Sequence, residues 1–279
     1  MSRIFKFVIS FDIIDRPLII SAWSGSFLLK IIYEIFHRVG LDFEKRKSKP
    51  FVIEPPLRDG RYIISGIYVK SREGFSQTSE TYHIIEPGSR FDCIMYIFDE
   101  SITQKFTEAL LSESFIKLPA TLLQISSISV EEVELPRLLI NNLEDLKGRV
   151  SAHVQVEFLS PTCFMLQGND VLYPSPARLI YSIAKRFYEI TKINLKEVCD
   201  QAYKVFDIHK IRELKIIYVD IGEGRKVPAF MGKVIYAVAG RPNIVTLMLQ
   251  LLKVGEILGV GVSRSLGFGR INVQYLSVR

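Results

Sequence analysis

Two successive units of strand, helix, two strands, helix and strand, an α+β arrangement, are predicted by three features of this sequence. Apolar stretches rich in β-branched residues at 3–14, 51–53, 61–69, 91–98 and 120–134 are interrupted by helical spacing at 26–38 and 101–112. The same order returns after residue 150, where Ser151 to Phe158 alternates strictly, apolar on even positions and polar on odd ones. Between them, residues 136–149, with Pro136, Asn141, Asn142 and Gly148, keep neither pattern, so the domains are expected at 1–140 and 149–279. Each unit has the order of the split β-α-β, ferredoxin-like (RRM-like) fold.

Taking the elements in turn, Pro17 breaks the chain after the first strand, and Ser24 or Ser26 is expected to cap the first helix. Leu28, Ile31, Ile32, Ile35 and Val39 recur at three- and four-residue spacing and should face inward. Lys30, Tyr33, Glu34 and His37 share the other face, and Gly40 stops the helix. A basic cluster, Lys45-Arg46-Lys47-Ser48-Lys49-Pro50, precedes the strand at 51–53. Such a run is ordinarily a solvated loop, but β-α-β connectivity would bring it to the same end of the sheet as the polar helix face. Glu86 to Arg90 reads as a turn, and Ser101 or Thr103 as the opening of the second helix. In the second unit, helical patterns at 176–190 and 194–209 are followed by strands at 213–220 and 228–238. A hairpin tip, Gly222-Glu223-Gly224-Arg225-Lys226, joins those strands. The apolar run 244–258 reads as a buried helix, and 271–275 as the last strand.

Composition narrows the partner. The chain has 279 residues, 48% of them apolar, and a net charge of +6 from 36 Lys and Arg against 30 Asp and Glu, which favours a polyanion. Cysteines 93, 163 and 199 are odd in number and widely spaced, so a reducing cytoplasm is expected rather than a disulfide framework. The N-terminus lacks the uninterrupted apolar core of a signal peptide. Gln250, Lys253 and Glu256 would make the longest apolar stretch costly in a membrane, so no membrane partner is expected.

The densest local signal lies near the end. Gly259-Val260-Gly261 and Gly267-Phe268-Gly269 form two G-x-G pairs five residues apart, a density needed where the backbone takes positive φ or approaches another backbone closely. A dinucleotide fingerprint would place its third glycine at position 264, which is Arg264, and would lie between a strand and a helix rather than after a helix. The pattern, two glycine pairs around a spacer with a basic residue, resembles the C-terminal glycine-rich loop of the RAMP superfamily. Within it, the resemblance is closest to the CRISPR-associated repeat-processing endoribonucleases, the sixth Cas family. Phe158-Leu159-Ser160-Pro161-Thr162 is similar to the segment that opens the second domain of those enzymes.

The four histidines show no HxxxH or paired Cys/His spacing, and no G-x-S-x-G elbow occurs, so neither a metal site, a cofactor nor a serine triad is expected. Basic residues suit one reaction, cleavage of RNA by its own 2′-hydroxyl, in which the protein orients the attack, offsets charge on the phosphorane and protonates the leaving 5′-oxygen. The resemblance implies the same products, a 2′,3′-cyclic phosphate and a 5′-hydroxyl, with CRISPR repeat RNA as partner. It implies catalytic roles for Lys30 and Lys49, which match lysine positions in one branch of the family, and an RNA contact for Arg264. His37 lies where many family members place a histidine acid or base; interaction with the helix-end carbonyls is its alternative. Arg225, Lys226, Lys45, Arg46 and Lys47 are the expected phosphate contacts. Tyr33 and Phe268 are the aromatic candidates for base stacking, with a core position the alternative for Phe268. A non-cleaving RAMP subunit of an effector complex is the rival reading, and a homodimer stays open.

Overall fold

The computed structural model describes residues 3–46, 48–71, 74–78, 81–136, 138 and 148–278. Lys47 and most of the expected boundary, 137 and 139–147, lie outside the described residues. The chain divides into two compact units, the first made of Met1–Glu134, Ile217–Val227 and Ser265–Gly267, the second of Leu135–Ile216, Pro228–Arg264 and Phe268–Arg279.

In the first unit the elements are β1 (Ile4–Ile13), β2 (Leu18–Ile20), α1 (Ser24–Arg38), β3 (Phe51–Ile53), β4 (Leu57–Arg58), β5 (Arg61–Tyr62), β6 (Ile67–Ser71) and β7 (Gly74–Gln77). They continue with β8 (His83–Ile85), β9 (Arg90–Ile97), α2 (Glu100–Ser112), β10 (Phe115–Lys117) and β11 (Leu122–Val133). The sheet runs β10-β11-β1-β9-β4-β5, with β3 also on β9, all antiparallel. Taking β1, β3, β9 and β11 as the four principal strands gives the order fourth, first, third, second, the ferredoxin-like order expected from the sequence. Phe7, Ile9, Phe11 and Ile13 are fully buried, and α1 and α2 bring Phe36 and Phe106 onto this layer with ring centroids 4.6 Å apart. Alternation in β1 and three- and four-residue spacing in α1 therefore meet in one core.

The helix starts differ from the sequence reading. α1 begins at Ser24 with Trp23 in the N-cap position, and neither Ser24 nor Ser26 caps it. Ser24 is buried and its hydroxyl donates to the Ile63 carbonyl at 2.5 Å, so tertiary packing claims the group that a solvated helix end would use. α2 is capped by Asp99 rather than by Ser101 or Thr103; its carboxylate accepts from the Ile102 amide at 3.0 Å.

The second unit holds β12 (Val150–Thr162), the small hairpin β13 (Phe164–Leu166) and β14 (Asn169–Val171), α3 (Pro176–Thr191), α4 (Lys196–Val205), most of β15 (Phe206–Asp220) and β16 (Lys226–Gly240), α5 (Pro242–Leu258) and β17 (Ile271–Val278); the end of β15 and the start of β16, Ile217–Val227, belong to the first unit. The order β17-β12-β16-β15 repeats the first unit's pattern. Ala152, Val154, Val156 and Phe158 of β12 are buried, as the alternation requires, and α5, with Met248 and Leu252 buried, packs on this strand. The helical reading of 194–209 ends early: the chain turns to strand at Phe206. Among the described residues no helix is long and apolar enough to cross a membrane.

Candidate active site

Within the first unit, the expected lysines and histidine gather around the exposed face of α1. Lys30 is exposed on that face, Tyr33 is half-buried one turn further on, and His37 is exposed one turn beyond Tyr33. The loop after α1 folds back over this row. Phe43 anchors it by burial against Phe36, with centroids 4.9 Å apart, and Lys49 then donates from Nζ to the carbonyls of Phe43 and of Glu44, the latter at 2.7 Å. The same ammonium lies 5.5 Å from the Tyr33 ring centroid, a cation–π contact. Glu44 faces His37 as well, with Oε1 3.9 Å from Nε2. Lys49 is thus brought to the helix face that carries Lys30, Tyr33 and His37.

The electrostatics follow from this enclosure. Partial burial lowers the pKa of Lys49 from the ordinary 10.5, against the raising pull of Asp42 and Glu44. Tyr33 moves the other way, to about 12, by burial first and then by the Glu44 and Asp42 charges. Tyr33 therefore stays a neutral phenol through the working range. Lys45 and Arg46 are exposed, and the Arg46 guanidinium lies 4.9 Å from the Phe43 centroid. At the hairpin tip Arg225 is exposed and closes the turn through its amide to Gly222 O at 3.0 Å. Lys226 lies over the rings of Tyr68 and Phe75, at 4.6 and 5.3 Å.

The glycine-rich loop is a close-packed device. In the second unit it lies along the Phe158–Thr162 stretch: Gly269 N donates to Pro161 O at 2.9 Å, Val262 N to Cys163 O at 3.0 Å, and Leu159 N to Arg270 O at 2.9 Å. The Ser160 hydroxyl accepts from the Arg270 amide at 2.9 Å. The two motifs, 100 residues apart in sequence, are hydrogen-bonded to each other. Gly261 and Gly269 have φ of +71° and +72°, and a Cβ on either would fall on a backbone carbonyl, of Cys163 and of Val260 respectively. Gly259, with φ +70°, leaves room for the Arg264 stem, its Cβ position being 3.3 Å from Cγ. Phe268 is buried, which removes it as a base-stacking candidate.

Arg264 turns inward within the second unit. The side chain is half-buried, and its guanidinium donates to Ser182 O at 3.3 Å. Burial first, then the neighbouring Arg186 charge, lowers its pKa to about 10, with Glu189 pulling the other way. Glu189 itself pairs with Arg186 at 2.8 Å.

In the first unit, Ser265–Gly267 meets the start of α1, a junction that sequence reasoning missed. The buried Trp23 indole donates to the Leu266 carbonyl, and a Cβ on Gly25 would fall on that same oxygen. Gly267, at φ +75°, sits with its Cβ position 3.0 Å from Pro55 N. The available signal was the chain's single Trp followed by a glycine in the first helical turn, where glycine is disfavoured unless something approaches closely.

Comparison with known proteins bears on the glycine-rich loop and on the fold. The family described as "CRISPR-associated endoribonuclease Cas6" matches residues 156–271, which include the Phe158–Thr162 segment and all four loop glycines. A CRISPR-associated endoribonuclease Cas6 from Streptococcus thermophilus is 27% identical over 185 residues, 62% of this chain and 75% of that protein. A Cas6 product complex superposes with a TM-score of 0.69 at 14% identity, over 98% of this chain and 100% of that one. Thermus thermophilus Cas6 gives 0.65 at 13% identity, over 98% and 99%. The likeness in sequence at the loop and the likeness in fold along both units point the same way: the chain is similar to the CRISPR-associated endoribonucleases of the Cas6 family.

Proposed function

We propose that this chain binds CRISPR repeat RNA and cuts the precursor transcript within each repeat, without a metal ion, by attack of the ribose 2′-hydroxyl on the adjacent phosphate. The observation that carries the reading is Lys49, fixed by two carbonyls over Tyr33 on the helix face of Lys30 and His37. In the reaction the 2′-oxygen bonds to phosphorus as its proton leaves to solvent or a base. The bond from phosphorus to the 5′-oxygen breaks, and that oxygen takes a proton, giving a 2′,3′-cyclic phosphate and a 5′-hydroxyl. Ammonium groups offset the charge that grows on the phosphorane and can supply the proton. The lowered pKa of Lys49 makes it a stronger acid than an ordinary lysine, which suits it to the leaving group. Lys30 would serve the phosphate oxygens, and His37 is the alternative proton-transfer group. Arg225, Lys226, Lys45 and Arg46, with Lys47 from the same basic run, would position the RNA backbone.

The purified protein is expected to cleave repeat RNA in excess EDTA and to leave intact an RNA whose nucleotide 5′ of the scissile bond has a 2′-deoxy sugar. Dependence on Mg²⁺, or cleavage of the deoxy substrate, would overturn the mechanism; binding without any cleavage would favour the non-cleaving RAMP subunit instead.

Arg264 offers a separate test. An enclosed guanidinium with a lowered pKa costs the folded state, and such groups are often replaced by apolar residues at no loss of stability. Arg264→Met is therefore expected to leave the melting midpoint unchanged or raise it by roughly 2–4 °C, the shift about 1 kcal/mol would give. If the arginine is kept for RNA, the same variant binds repeat RNA about 10-fold or more weakly, a loss of ~1.4 kcal/mol. Paired melting and binding curves check both parts, and wild-type binding would remove Arg264 from the RNA contacts.

A further inference from the structure

We propose that the exposed face formed by β6, β7 and the end of β15 is a stacking platform for unpaired nucleotides of bound RNA. The proposal rests on the reading of the chain as an RNA-binding protein and adds a site to it. Register creates the face. Tyr218 pairs with Tyr68, and Lys70 pairs with Phe75, so these four side chains project from one side of the strands. The alternate residues Ile67 and Val219 are buried on the other side. On the exposed side the Phe75 and Tyr218 centroids are 5.0 Å apart at 69°, and Phe75 is 48% exposed. Two ammonium groups complete the surface: Lys70 lies 5.9 Å from the Tyr218 centroid, and Lys226 lies over both Tyr68 and Phe75.

An aromatic face rimmed by cations has the chemistry of a nucleotide, a flat base joined to an anionic phosphate. Single-stranded RNA sites are built this way, from stacking rings and basic side chains that follow the backbone. Cation–π contacts at exposed sites are weaker than base stacking on the same ring, so an arriving base can take the ring face from Lys226. The released ammonium, on its long stem, then reaches the phosphate beside that base. Duplex RNA is the poorer occupant, because its bases are already stacked and paired.

The test uses the full chain, a 12-nucleotide oligo(U), and an abasic ribose-phosphate oligomer of the same length. Phe75→Leu keeps an apolar side chain and removes the π face. It is expected to weaken oligo(U) binding by about 5- to 20-fold while binding the abasic oligomer as the wild type does. Phe75→Trp should restore affinity and report stacking directly, its indole emission being quenched by oligo(U), while the native Trp23 is fully buried. Lys226→Gln should weaken both oligomers and reduce the salt dependence of binding by about one counterion. Wild-type affinity of Phe75→Leu for oligo(U), equal losses for the two oligomers, or no quenching in Phe75→Trp overturns the platform. So does failure of the wild type to bind oligo(U). Repeat RNA cleavage by the same wild-type preparation is read alongside; its absence with quenching intact overturns the nuclease reading and leaves the platform standing.

Discussion

Lys49→Ala is expected to slow single-turnover cleavage of repeat RNA by about 10²-fold or more, and Lys30→Ala by a similar factor, whereas His37→Ala stays within a few-fold. The argument is one of placement and charge. Lys49 is held by the Phe43 and Glu44 carbonyls, and losing it removes a positioned cation that a solvent water cannot replace. The pH profile separates this from a folding defect. The rate should rise with pH through the neutral range as the 2′-hydroxyl is more readily deprotonated, then fall where the acid loses its proton. Burial lowers the Lys49 pKa, so that fall should come at lower pH than the ordinary lysine value of 10.5 would give. Lys49→Arg keeps the positive charge but does not deprotonate in this range, so it should lose the descending limb along with part of the rate. A severe defect confined to His37→Ala, with a neutral-range inflection vanishing in that variant, would transfer the proton to His37.

Legibility of the fold tracked burial. β12 was readable from its alternation because one face is packed and the other is not, and α1 was readable because its inward stripe is continuous. Residues 206–212 were not, although the strand beyond 213 was: the expected helix ran on to 209, and most of 207–212 is exposed, so no core imposed a period of two there. Helix starts failed for a related reason: Ser24 is recruited by Ile63 across the fold, a partner 39 residues away that no local rule can see. The glycine-rich loop and Phe158–Thr162 stood out as motifs, yet only coordinates reveal that they bond to one another. What makes Lys49 different from Lys45 is likewise non-local, since Tyr33 and the Phe43 anchor set its surroundings.

Gly25→Ala should destabilise the first unit and slow cleavage. Alanine normally favours a helix over glycine by about 1 kcal/mol, so propensity alone predicts a gain. Here the new Cβ would fall on the Leu266 carbonyl oxygen and lie 2.5 Å from the Trp23 indole nitrogen, and a backbone carbonyl held by that indole cannot swing aside as a flexible side chain would. Overpacking of this kind costs about 3 kcal/mol at the upper end of the usual range, leaving a net loss of roughly 2 kcal/mol and a melting midpoint lower by roughly 4–8 °C. Either Ser265–Gly267 leaves the helix or the first turn of α1 unwinds, and Lys30 and Tyr33 lie one and two turns along that same helix. Cleavage should therefore fall by about 10-fold or more even at temperatures where the variant is fully folded. Gly40→Ala is the control: its φ is +72° but nothing lies within 4 Å of the added carbon, so it should cost about 1 kcal/mol of backbone strain and leave the cleavage rate unchanged. Trp23→Phe, which keeps an aromatic ring but loses the indole N–H, should fall between the two in both readouts. Thermal melts and single-turnover rates for the three variants decide the matter: if Gly25→Ala cleaves at the wild-type rate, the contact between the loop and α1 serves packing and has no part in holding the site.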